Sequence, residues 1–152
     1  MGGFLEEGET GFEACRRESK EELGVATQTE VNAIAAGLEY VAATDPDWVV
    51  LGRFRVMSNR GGGHQTICLN MNAVQLPPQV AARHGYKGAG WGGGSDAGNP
   101  DAGNADGEAQ ELFQLGVTEA REALMAGMFK EIKWTASLSI SLLYLQEKGV
   151  IS

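Results

Sequence analysis

The sequence predicts an α+β fold, and three observations lead to this prediction. The first is an amphipathic helix pattern near the start of the chain, over residues 10–23. The second is a pair of runs, 48–57 and 65–74, in which apolar and polar residues alternate as they do in half-buried strands. The third is a pair of helical patterns in the last third of the chain. Strands flanked by segregated helices are typical of the α+β class.

Length and composition limit the classes of function. A chain of 152 residues suits one domain with a core of its own, and we predict a single domain over 1–152. The net charge of −8 argues against nucleic acid or an anionic membrane as partners. The two cysteines, Cys15 and Cys68, lie in apolar patterns and are predicted to stay reduced. A signal peptide and a membrane-spanning run are both absent, which favours a cytoplasmic location.

The first helix is predicted from local signals at both of its ends. Thr10 is a good N-cap residue, and Glu13 three positions later completes a capping box. The helix should end near Leu23, because Gly24 can take the left-handed conformation that closes a helix.

This helix is predicted to carry a packing face and, beside it, an acidic sector. At 3.6 residues per turn the packing face is formed by Phe12, Cys15, Ser19 and Leu23. The acidic sector is formed by Glu18, Glu21 and Glu22. Mutual repulsion of three carboxylates is relieved well by a hard cation such as Mg2+, which prefers oxygen ligands. The alternative is a solvated, charged helix in which Arg17 pairs with glutamates four residues away on either side.

The middle of the chain is predicted to be mostly strand. Residues 31–41 are rich in Ala, Val, Ile and Leu and are predicted to form a buried strand with a break at Gly37. Residues 44–47 are predicted to turn, because Pro46 fixes one backbone dihedral. The two alternating runs that follow are predicted to pair as a hairpin.

A glycine-rich loop with one arginine, 58–64, connects the two strands of this hairpin. Arg60, Gly61 and Gly62 could contact an anion, because glycine backbones approach phosphates closely and a guanidinium binds them in a bidentate way. A plain flexible turn is the equally simple interpretation.

The last part of the chain is predicted to be helical after a low-complexity stretch. Residues 79–84 should form one helical turn, 85–107 a flexible Gly-rich insertion, and 108–115 a short strand. Thr118 is predicted to cap a helix through Ala126. A closing helix is predicted from Glu131 or Trp134 to Lys148, with a core stripe formed by Trp134, Leu138, Ser141, Leu142 and Leu145.

The spacing of residues in 3–25 resembles the Nudix box of the Nudix hydrolase family, G-x5-E-x7-R-E-U-x-E-E-x-G-U, where U is aliphatic. Gly3, Glu9, the dipeptide Arg17-Glu18, the dipeptide Glu21-Glu22 and Gly24 stand at the fixed positions. Ser19 departs from the pattern because the family has an aliphatic residue there. The resemblance implies a Nudix-type α/β/α sandwich with a mixed sheet.

The resemblance also implies a site and an activity. Glu18, Glu21 and Glu22, with the carbonyl of Gly3, would ligate Mg2+ or Mn2+, and Arg17 and Glu9 would hold this network in place. The general base would be Glu21, Glu22 or a glutamate before the last strand, Glu108 ahead of Glu111. The activity implied is hydrolysis of the pyrophosphate in a nucleoside diphosphate linked to another moiety, with ADP-ribose or an ADP-sugar favoured by the Arg60 loop.

Family members resembling this chain place several strands before the box, whereas here the box begins at the third residue. We therefore expect the N-terminal strands to be missing. Two alternatives stay open beside catalysis: a non-catalytic Nudix-like binding module, and a truncated chain that needs a partner, such as a second copy in a homodimer, to cover its sheet edges.

Overall fold

The structure, a computed structural model, describes residues 4–56, 63–84 and 114–152. The chain divides into two compact units, Met1–Leu112 and Phe113–Ser152. The first contains α1 (Gly11–Leu23), β1 (Val25–Thr27), α2 (Gln28–Ala36), a 3-10 turn (Ala42–Thr44), β2 (Trp48–Arg55), β3 (His64–Asn70), β4 (Ala73–Gln75) and α3 (Pro78–His84). The second contains α4 (Val117–Met125) and α5 (Ile132–Glu147).

The strands of the first unit form two antiparallel pairs. β1 pairs with β4, and β2 pairs with β3 from Trp48 opposite Asn70 to Arg55 opposite His64. Helices with antiparallel strand pairs confirm the α+β class and the predicted hairpin. The sandwich with a mixed sheet and the single domain over 1–152 stay predictions. In the parts of the chain that the structure describes, no helix is long and apolar enough to cross a bilayer.

Helix α1 begins and ends where its local signals predict. The Thr10 hydroxyl accepts from the Glu13 amide at 3.2 Å, and the Glu13 carboxylate accepts from the Thr10 amide at 2.7 Å. Gly24 closes the helix at φ 62°, a conformation that side chains with a Cβ rarely adopt. The chain then passes directly into β1, whose three residues are all buried. This short connection fixes α1 against the small sheet of β1 and β4.

α1 also lies close to β3 because Gly11 has no side chain. A Cβ on Gly11 would stand 2.7 Å from the Cβ of Thr66. Further along the helix, the ring of Phe12 meets that of Trp48 edge to face, with centroids 5.9 Å apart. The predicted packing face of α1 is therefore the face that meets the hairpin.

Replacing Gly11 with Ala should lower the free energy of unfolding by about 1–3 kcal/mol, because the new methyl group overlaps Thr66 and pushes α1 away from β3. Urea unfolding measures this loss. Gly63→Ala is the matched control, since a Cβ there meets no atom within 4 Å. In a Thr66→Gly background the same Gly11→Ala change should cost nothing; an equal loss in both backgrounds would contradict the steric explanation.

A buried polar network joins α1 to the elements that follow it. Glu30 of α2 is 2% exposed and accepts from Arg16 at 2.8 Å and from Lys20 at 2.7 Å. The Arg16 guanidinium lies over the Tyr40 ring, 4.4 Å from its centroid. Tyr40 then donates to the carboxylate of Asp45, which also accepts from the Thr27 hydroxyl. Burial raises the pKa of Asp45, but these hydrogen bonds outweigh burial and the net pKa is lowered.

Three predicted elements differ from the structure. Residues 31–41 are not a strand, because α2 ends at Ala36 and Gly37 closes it at φ 65°. The single strand predicted over 65–74 is divided by a turn, where Asn70 Oδ1 accepts from the Asn72 amide before β4 begins. α4 is capped at Gly116 rather than Thr118, since the Glu119 carboxylate accepts from the Gly116 amide.

The predicted turn near Pro46 and the turn of helix at α3 are confirmed.

The second unit contains the two predicted closing helices, but its apolar stripe is only partly buried. Leu142 is 9% exposed and belongs to the core, whereas Trp134 in the first turn of α5 is 45% exposed. The sequence IKWTASLSISLLYLQE is apolar on more than one side, so helical spacing alone could not select the buried face. The Gly-rich insertion predicted over 85–107 lies outside the described residues.

Candidate active site

Arg17 is the centre of the acidic sector on α1. Its Nε and Nη2 donate to the two oxygens of Glu9 at 3.0 and 3.1 Å, a bidentate pair. Its Nη1 donates to Glu18 Oε1 at 2.7 Å and to Glu21 Oε2 at 3.0 Å. Nη2 also donates to the carbonyl of Phe4 at 3.0 Å. The structure therefore pairs Arg17 with Glu9, Glu18 and Glu21.

The loop before α1 is held by the same guanidinium. The Glu9 amide donates to the Glu6 carbonyl at 3.0 Å, and the Glu6 amide donates to Glu9 Oε2 at 3.0 Å. Because Arg17 binds both Glu9 and the Phe4 carbonyl, it fixes the loop over 4–9 against the middle of α1. The resemblance assigned Glu9 to this loop–helix network, and the contacts agree with that assignment.

Electrostatic interactions favour the charged forms of Arg17 and Glu9. The hydrogen bond from Arg17 holds the pKa of Glu9 below its ordinary value, although burial works against it. The carboxylates in turn raise the pKa of Arg17, with Glu9 as the largest cause. Glu9 and Glu18 are each 12% exposed, whereas Glu21 is 44% exposed. The more open end of the acidic sector is therefore at Glu21, where a solute has the easiest access.

Ser19 shows how the chain accommodates the one departure from the box pattern. It is 2% exposed, and its hydroxyl donates to the carbonyl of Cys15 at 2.7 Å, one turn earlier in the helix. A buried hydroxyl with this partner carries no unsatisfied donor. The serine therefore removes apolar contact from the packing face without leaving a polar group unpaired.

The donor types of the acidic sector fit a hard divalent cation, because carboxylate oxygens are its preferred ligands. Arg17 uses one oxygen of Glu18 and one oxygen of Glu21, so each of these carboxylates has a second oxygen outside the ion pair. The arrangement itself differs from a preformed cage: among the described residues, no three His, Cys, Asp or Glu side chains are placed to hold a metal ion. The guanidinium provides the positive charge around which these glutamates gather.

The other predicted site residues are placed as follows. Glu22 follows Glu21 on α1 and is half-buried. Gly3, Arg60, Gly61, Gly62, Glu108 and Glu111 lie outside the described residues. The hairpin that carries the arginine-glycine loop is described up to Val56 and from Gly63, where the Val56 amide donates to the Gly63 carbonyl at 2.9 Å. The hairpin is therefore still paired at the described residues nearest to the loop.

The contacts of Glu30 with Arg16 and Lys20 were not predicted from the sequence. A signal for them exists, since Arg16 and Lys20 stand four residues apart on α1, beside its packing face. Two cations at that position need an acidic partner from another element. The partner, Glu30 of α2, holds the side of α1 that carries Arg16 and Lys20.

Comparisons with known proteins give one match. No curated protein and no solved structure matches this chain. Residues 1–61, which contain the whole acidic sector of α1 and its Arg17 network, match the family model of the NUDIX domain.

Proposed function

We propose that this protein is a metal-dependent Nudix-type hydrolase that cleaves the pyrophosphate of a nucleoside diphosphate linked to another moiety. The observation that carries the proposal is the set of glutamates gathered around Arg17 within the segment that matches the NUDIX domain model. An ordinary solvated helix needs no such network, because exposed ion pairs contribute little to stability.

The proposed roles follow from donor type and position. Glu18, Glu21 and Glu22 hold Mg2+ or Mn2+, together with the carbonyl of Gly3. A cation held by these residues would supply neutralisation of phosphate oxygens and activation of a water molecule. Arg17 is a positioning residue that keeps Glu18 and Glu21 on one side of the helix. Glu21, Glu22 or Glu108 accepts a proton from the attacking water.

The proposed substrate is ADP-ribose or an ADP-sugar. Arg60, Gly61 and Gly62 would contact its phosphates, because a guanidinium and glycine backbone amides are both suited to phosphate oxygens. A chain with a net charge of −8 attracts a diphosphate poorly over long range. Cations held at the acidic sector would therefore be needed for binding as well as for cleavage.

A second candidate is a non-catalytic module that binds the same class of ligand. It is favoured by the engagement of Glu18 and Glu21 with Arg17, which already neutralises part of the acidic sector. In this case a nucleotide would bind but would not be cleaved.

The test is release of AMP from ADP-ribose and from ADP-glucose, with Mg2+ or Mn2+ and with a chelator. We expect AMP to appear only with the divalent cation, together with ribose 5-phosphate or glucose 1-phosphate as the second product. Calorimetry with the same nucleotides separates the two candidates: binding without release of AMP supports the module and contradicts the hydrolase. Release that is unchanged by the chelator contradicts the role of the cation.

A further inference from the structure

The two cysteines of this chain are neighbours where α1 packs on β3, although they are far apart in the sequence. Cys15 belongs to α1 and Cys68 to β3, and both are free, half-buried thiols. Each thiol is the largest cause of the shift in the pKa of the other, so the two side chains are close neighbours. They are the only cysteines in the sequence, so no other thiol of the chain competes for either of them.

The approach of α1 to β3 at this point is unusually close. Gly11, one turn before Cys15, presents no side chain to Thr66, and the Cys15 sulfur lies 3.8 Å from the Thr66 carbonyl oxygen. Side chains alternate along a strand, so Thr66 and Cys68 project to the same side of β3, toward α1. A disulfide requires two Cβ atoms that are close together and directed at each other. Thr66 lies against Gly11 and Cys15 of α1, and Cys68 follows Thr66 on the same side of β3, so the strand places Cys68 beside the helix that carries Cys15.

We propose that Cys15 and Cys68 form a reversible disulfide site that cross-links α1 to the β2–β3 hairpin under oxidising conditions. With a disulfide oxidant such as oxidised glutathione, the Cys15 thiolate attacks one sulfur and releases one glutathione thiolate. Cys68 then loses its proton and attacks the Cys15 sulfur, which forms the internal disulfide and releases the second glutathione. Two protein thiols are oxidised, one disulfide reagent is reduced to two thiols, and the two protons pass to the released glutathione.

The reactivity of the two thiols agrees with this order of attack. The hydrogen bond from Cys68 lowers the pKa of Cys15, which favours its thiolate as the first nucleophile. The pKa of Cys68 is raised, first by its hydrogen bond with Cys15 and then by burial. Once Cys15 is joined to glutathione, that hydrogen bond and the charge of Cys15 are gone, so the largest cause of the raised pKa of Cys68 is removed.

The test is oxidation of the folded chain with a defined ratio of reduced and oxidised glutathione, followed by alkylation and intact-mass measurement. We expect loss of both alkylatable thiols, a mass lower by two hydrogen atoms, no attached glutathione, and full reversal by dithiothreitol. Cys15→Ala and Cys68→Ala should each retain a single thiol or carry one glutathione. Persistent glutathione adducts on the unmodified chain, linkage between two chains, or two surviving thiols would each overturn the proposal.

A comparison with the unfolded chain tests the proposal without the cysteine variants. At the same glutathione ratio, the equilibrium constant for the internal disulfide should be at least about tenfold larger in buffer than in urea, because the fold holds the thiols at a high effective concentration. An equal or smaller constant in buffer would show that the fold does not favour the cross-link.

Discussion

Replacing Glu21 with Gln should lower the rate of AMP release by at least about 100-fold, with little change in the free energy of unfolding. Gln keeps the shape of the side chain but removes the negative charge that a hard cation needs and the basicity that a proton acceptor needs. Glu21 is 44% exposed and its ion pair with Arg17 is solvated, so its removal should cost stability less than about 1 kcal/mol. Because the expected loss of rate is large and the expected loss of stability is small, Glu21 is a suitable position at which to test catalysis separately from folding.

The experiment compares turnover and urea unfolding for three proteins: the unmodified chain, Glu21→Gln and Glu122→Gln. Glu122 is exposed on α4 and serves as the matched control for loss of one carboxylate, because it lies outside the acidic sector. Raising the Mg2+ concentration separates the two roles of Glu21. Partial recovery of the rate indicates weaker cation binding, whereas a low rate at saturating Mg2+ indicates loss of the proton acceptor. Equal turnover in Glu21→Gln and the unmodified chain would contradict the catalytic proposal.

α1 was predictable because its signals are local. The capping box at Thr10 and the left-handed glycine at Gly24 act through residues three or four positions away, so the sequence contains both partners of each contact. The ion pairs of Arg17 with Glu18 and Glu21 are local for the same reason. The most predictable part of the structure is therefore also the proposed site.

α2 was missed although its signals are also local. Thr27 caps this helix by accepting from the Glu30 amide at 3.1 Å, and Gly37 closes it. The apolar composition of 31–41 favoured a strand, because short apolar runs do not separate a buried strand from a helix by period alone. A Thr followed three residues later by Glu was the signal that should have decided between them.

The contacts that join separate elements could not be predicted from the sequence. The pairing of β1 with β4 ends the second strand of the hairpin early, since Ala73 pairs with Thr27 instead of continuing opposite β2. The placement of Cys68 beside α1 and the burial of Glu30 between Arg16 and Lys20 also join separate elements. These contacts depend on the position of one element relative to another, which helical and strand periods do not determine.

Replacing Glu30 with Ala should lower the free energy of unfolding by about 3 kcal/mol, the second large effect that the structure predicts. Glu30 is 2% exposed and is the shared partner of Arg16 and Lys20, whose side chains are only 14% and 13% exposed. Removing the carboxylate leaves two cations close together at a poorly solvated position. Since domains of this size are stabilised by about 5–15 kcal/mol, such a loss is a large part of the total.

Urea unfolding, followed by amide hydrogen exchange in α1, measures this change in the unit that contains the network. Glu39→Ala is the matched control, because Glu39 belongs to the same unit but is exposed, and its loss should change the stability by less than about 0.5 kcal/mol. An equally small change for Glu30→Ala would contradict a structural role for the buried ion pairs.

A triple variant separates two contributions to the loss of stability. One is the cost of leaving Arg16 and Lys20 buried without Glu30, and the other is the loss of their attraction to Glu30. When Glu30→Leu is joined to Arg16→Met and Lys20→Met, none of these three charges remains, and apolar side chains fill similar volumes. Replacing a buried ion pair in this way is often neutral or stabilising. We therefore expect the triple variant to recover most of the stability that Glu30→Ala loses. If the triple variant is as unstable as Glu30→Ala, then the attraction among these three side chains, rather than the desolvation of unpaired charge, is what holds α1 against α2.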